Sequence, residues 1–105
     1  MRDPEACISD IVTFAWRALG YVDGVEHERF LADAGVQDQV IRCLEVIGEA
    51  ARRTPDDERA THPRVPWVQM AGLRNRLAHE YDAVDMDSVW LTVTRDLPAI
   101  LDLLG

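Results

Sequence analysis

Lysine is missing altogether. All eleven basic residues are arginine, against nineteen acids, for a net charge of −8. A chain this acidic is not held to nucleic acid over its whole surface, because such binding neutralises phosphates and releases counterions. The arginine-only usage is read as genomic base composition rather than mechanism. Glycine and proline are few, six and five, while 48% of residues are hydrophobic, which excludes a disordered chain and fits a helical one. No apolar run approaches the roughly 20 residues of a membrane span. The N-terminal MRDPEACISD has acids where a signal peptide needs a basic region and an apolar core, so a cytoplasmic location is expected. Cysteine is down to two isolated positions, Cys7 and Cys43, expected as buried thiols rather than a zinc set or disulfide. Two-residue alternation, repeats and low-complexity tracts are absent too. At 105 residues there is room for one core, and residues 1–105 are expected to form a single domain.

What is present is helical spacing. Ile8, Ile11, Val12, Ala15 and Leu19 predict a first helix from about Asp3 to Tyr21, ended by Asp23-Gly24. Phe30 and Leu31 anchor a short piece whose Glu26-His27-Glu28 is expected to be a solvated face. Val40, Leu44, Ile47 and Ala51 predict a helix from about Val36 to Arg53, and Gly48 in that face implies another backbone passing closely. Thr54 is expected to cap a short turn after it, in the longest irregular connection, where His62 and Arg64 sit. Asp87 is expected to cap the last helix, whose stripe is Trp90, Val93, Leu97, Ile100, Leu101 and Leu104 and which Pro98 should kink or split. These elements predict an all-α antiparallel four-helix bundle with an additional short helical segment, and Trp67, Leu77, Leu44, Ile47 and Trp90 in its core.

The most informative stretch is Pro66 to Asp87, PWVQMAGLRNRLAHEYDAVDMD. Pro66 suits a helix start, and Trp67, Met70, Leu77 and Ala78 form an apolar stripe that includes Arg74. A guanidinium in such a stripe needs an anionic partner. Asn75 and His79 form the next row, and Tyr81 lies two turns after Arg74. A structural reading pairs Arg74 with Glu45 or Glu49, lets His79 cap the helix and buries Tyr81. A functional reading gathers a cation, an amide, an imidazole and a phenol to bind and cut a phosphodiester. His79 is the one motif side chain suited to take a proton at neutral pH. Arg74 can hold phosphate oxygens bidentately and stabilise the charge that grows on them. In that functional reading Asn75, Arg76 and Tyr81 are expected as substrate-binding or supporting residues. Charge is uneven: from Ala50 to His79 six arginines meet three acids, +3, and the remainder is −11. Asp85-Met86-Asp87 lacks the glycine-serine loop and strands of a nucleotidyltransferase metal site, so no metal is expected.

Arg74-Asn75-x-x-x-His79-x-Tyr81 resembles the Arg-x4-His-x-Tyr motif of HepT-like toxins of the HEPN superfamily. The flanks agree, with Pro66-Trp67 before the helix and an aspartate-rich turn then Val89-Trp90 after it, and so does Ile47-Gly48-Glu49-Ala50-Ala51. The resemblance spans nearly the whole chain. It implies a HEPN-like fold and a homodimer with Arg74 and His79 of both subunits in one cleft. It also implies the toxin of a type VII-like toxin–antitoxin pair: an endoribonuclease needing no metal or cofactor. The implied partner is an MntA-like nucleotidyltransferase antitoxin that transfers AMP to Tyr81. The alternative is a non-catalytic nucleotide-binding or regulatory subunit of a nucleotidyltransferase complex, binding phosphate through Arg74.

Overall fold

Asp3 accepts a hydrogen bond from the Glu5 backbone N–H, and with Pro4 in the first turn this starts helix α1, Pro4–Val22. A computed structural model of the chain describes residues 3–79 and 85–105, without the side chains of Ala78 and His79. After α1 come α2, His27–Ala32; α3, Ala34–Arg53; α4, Asp56–Ala60; and α5, Trp67–His79. Helix α6, Met86–Leu91, runs through a π-helical turn, Thr92–Asp96, into α7, Leu97–Leu104. Among the described residues there is no strand, so the chain is all-α as its periodicity predicts.

Helix α3 is the central element. It packs against α1 on one side and α5 on the other, while α7 and the π turn lie on α1. The shared core includes Ile11, Ala15 and Ala18 of α1, Val40, Leu44 and Ile47 of α3, Trp67, Met70, Leu73 and Leu77 of α5, and Val93, Leu97 and Ile100 near the C-terminus. Of the five expected core residues, Trp67, Leu77, Leu44 and Ile47 are buried, whereas Trp90 is half-buried. Cys7 and Cys43 are buried free thiols, and desolvation pushes the Cys43 thiol up.

Three local expectations are corrected. Asp87 does not cap α6. The helix starts two residues earlier, so Asp85 is the cap, accepting from the Asp87 backbone N–H at 2.9 Å and from the Ser88 hydroxyl. Asp87 instead holds His27 Nε2 at 2.8 Å, and the His27 ring stacks on Trp90 with centroids 5.3 Å apart and planes 3° from parallel. His27 is thus a docking residue between α2 and α6, not a bare solvated face. Thr54 closes α3 rather than opening α4: its hydroxyl donates to the Ala50 carbonyl at 2.8 Å in a buried position. Pro98 splits the last helix as expected, and the π turn shows how. Proline cannot donate to the preceding turn, and Thr92 and Thr94 hydroxyls bond back to the Ser88 and Trp90 carbonyls, which loosens the ladder just before it.

Candidate active-site helix

The connection from Thr54 to Pro66 is pinned rather than loose. Arg59 donates to the carbonyls of Ala51 at 2.8 Å and Thr54 at 3.1 Å, and its guanidinium lies over the Trp67 ring. Trp67 Nε1 in turn donates to the His62 carbonyl at 3.0 Å. The start of α5 is thereby fixed before its functional positions begin. Pro66 sits one residue outside the helix, where its carbonyl accepts the first helical bond from Met70.

Seen down its axis, α5 buries Trp67, Met70, Leu73 and Leu77. Including Leu73 rotates the buried face away from the stripe expected from Trp67, Met70, Leu77 and Ala78. Arg74 therefore falls on the border of that face, not inside it, and its side chain is 59% exposed. Arg76 is two residues on, about 160° around the helix. The two arginines flank the helix and line different grooves. Asn75 is exposed between them. His79 is the last residue of α5, on the outward row with Asn75 by helical register; its side chain and all of Tyr81 lie outside the described residues.

Gly48 sets the approach of α3 to α5. A Cβ there would lie 2.9 Å from the Arg74 backbone nitrogen and 3.1 Å from the Met70 carbonyl oxygen. One residue further on, Glu49 reaches Arg74: Oε2 stands 3.7 Å from the Arg74 Nε. The same carboxylate accepts hydrogen bonds from Arg52 and, at 2.8 Å, from Arg53. The Arg52 hydrogen bond, with help from Arg53, lowers the Glu49 pKa to about 2. Glu49 is therefore the anion that meets Arg74, as one of the two acids expected. It leaves most of the guanidinium open to a ligand. Glu45, Asp10 and Arg42 line the same groove, of about 280 Å³, beside Arg53 and Arg74.

Sequence reading missed that Leu73 belongs to the buried face, and so missed that Arg74 stands at its border. The signal was there, since Met70, Leu73 and Leu77 keep three- and four-residue spacing. Among the described residues no cluster of histidine, cysteine and acids has the makings of a metal site. None of the described helices is long and apolar enough to cross a membrane.

The described part of α5 thus carries one exposed arginine on each flank, Arg74 and Arg76, in an all-helical domain. The profile of the family described as "Ribonuclease HepT-like" matches residues 7–105, and the chain belongs to that family. It is 36% identical over 99 residues to the Methanocaldococcus jannaschii protein "Putative RNase MJ1216", covering 94% of this chain and 82% of the relative. It is 45% identical over 73 residues to "Probable ribonuclease HepT" of Thermococcus cleftensis, covering 70% of this chain and 66% of the relative. No solved structure matches it.

Proposed function

We propose that this chain is a metal-independent endoribonuclease, the toxin of a toxin–antitoxin pair, in which Arg74 and His79 act on a phosphodiester. The observation that carries the reading is the presentation of Arg74 on a fixed helix, with an open guanidinium, five residues before His79. His79 takes the proton from a ribose 2′-hydroxyl as that oxygen attacks the adjacent phosphorus. The bond to the 5′-oxygen breaks, and the leaving oxygen takes up a proton, giving a 2′,3′-cyclic phosphate and a 5′-hydroxyl. Arg74 holds the phosphate oxygens and offsets the charge that accumulates on them. Asn75 orients the phosphate or the imidazole.

The outward face of α5 supports a homodimeric site. Val68 is exposed, a Cβ on Gly72 would meet nothing within 4 Å, and Asn75 and position 79 continue that face by register. Two such helices laid face to face would bring both motifs to one cleft. The proposed regulator is a nucleotidyltransferase antitoxin. The Tyr81 oxygen attacks the α-phosphorus of a nucleoside triphosphate, pyrophosphate leaves, and the attached AMP puts a phosphate beside Arg74 and bulk in the cleft.

The net charge of −8 favours the second reading, a regulatory subunit that binds phosphate without cutting it. Incubation of the purified protein with several RNAs in EDTA separates the two. Cleavage supports the enzyme, and binding without cleavage supports the subunit.

A further inference from the structure

The motif helix has two cationic flanks. Opposite Arg74, a groove of about 500 Å³ opens between α5 and α7. Its floor is apolar, with Ile47, Met70 and Leu97 among its lining, and Arg64 and Arg76 stand on its rim. The size falls within the roughly 300–1,000 Å³ of ordinary small-ligand sites, and so does the pattern of an apolar lining with a few polar groups. Among the described residues neither Arg64 nor Arg76 is in an ion pair. The acid of the groove, Asp96, is already held by Arg95 at 3.0 Å. The rim is therefore net positive on a protein that is otherwise strongly acidic.

Resting on the ribonuclease reading above, we propose that this groove binds a nucleotide flanking the scissile phosphate of a single-stranded RNA, base against the apolar floor and phosphate on Arg64 and Arg76. Arg74 and the groove lie on opposite flanks of the motif helix, so a strand whose scissile phosphate sits on Arg74 can place a flanking nucleotide at Arg76 and the groove. A base is an apolar plate with a polar edge joined to an anion, which matches a greasy floor under two guanidinium groups that are in no ion pair among the described residues, and arginine planes also stack on unpaired bases. A duplex has no splayed base to offer the groove. A purely apolar protein segment would leave both cations unanswered.

The test is binding of a fluorescein-labelled single-stranded RNA to the intact protein across a salt series in EDTA, together with KM and kcat for its cleavage. Each phosphate contact on a single strand contributes about 0.7 to the salt slope, so Arg64→Ala with Arg76→Ala lowers it by about 1.4. The double variant should raise KM about tenfold or more, with a smaller change in kcat. Ala99→Trp, at an exposed residue lining the groove, should weaken binding with the slope unchanged, because it removes space and not charge. Unchanged affinity and slope in these variants, with cleavage intact, would overturn the groove site and leave the ribonuclease reading standing. A wild type that neither binds nor cuts RNA overturns both.

Discussion

Gly48 of α3 and Arg74 of α5 touch backbone to backbone: a Cβ on the glycine would fall 2.9 Å from the arginine's nitrogen. The contact fixes the axis on which the candidate phosphate-binding residue stands. Alanine normally gains about 1 kcal/mol over glycine inside a helix. Here overpacking against main chain, typically about 1–3 kcal/mol, works against that gain. Gly48→Ala should lower the melting temperature and cut RNA cleavage further than the lost stability explains, since Arg74 is pushed outward. Calorimetry alongside a cleavage assay checks both halves, and an alanine variant as stable and active as wild type would count against the contact.

Glu49 gives a pH prediction. Its folded-state pKa is lowered from 4.5 to about 2, first by the Arg52 hydrogen bond. A depressed carboxylate pKa adds stability that is present above the unfolded value, and that is lost as pH falls from about 4.5 toward 2. Glu49→Gln should remove this component of acid sensitivity, so the stability gap between wild type and variant narrows across that window. Chemical denaturation at stepped pH measures it. A constant gap from pH 7 to pH 2 would mean that the carboxylate contributes nothing through its charge.

The same two positions show how far the sequence could be read. Gly48 in an apolar face announced a close backbone, and an arginine near such a face announced an acid. Neither needed coordinates, because helical spacing fixes which residues are neighbours on a face. Helix boundaries at α1 and α3 came within two residues for the same reason. Caps did not. Asp87 sits two residues after the better-placed Asp85, while Thr54 bonds back to the Ala50 carbonyl, and a small shift in a helix boundary changes which side chain reaches the free backbone groups. The place of Arg74 at the border of the buried face turned on one leucine at position 73. His27 was illegible because its partners, Asp87 and Trp90, lie about sixty residues away in sequence.

Self-association is the next expectation. The outward face of α5, with Val68 exposed and nothing over Gly72, should be covered by a second copy. An interface of standard size buries about 800 Å² per partner. Sedimentation at micromolar concentration should show a dimer, and Gly72→Arg should give a folded monomer that no longer cuts RNA. A monomeric wild type with full activity would dismiss the composite cleft.

Tyr81 is proposed as the point of control. Co-expression with a nucleotidyltransferase of the proposed antitoxin class should add one or more AMP units to Tyr81, seen by mass spectrometry. Tyr81→Phe keeps the ring but lacks the acceptor oxygen, and should escape both modification and silencing. An unmodified Tyr81 in a fully neutralised complex would assign the silencing to binding alone.

The central claim is that His79 and Arg74 cut RNA without a metal, and the rate of RNA cleavage in EDTA tests it most directly. General-base catalysis is typically worth about 10²- to 10⁴-fold. His79→Ala should therefore lose at least about a hundredfold in kcat while keeping the helical circular dichroism of the wild type. Arg74→Ala should lose a comparable factor in kcat/KM. Wild-type cleavage rates in a folded His79→Ala protein would contradict the account.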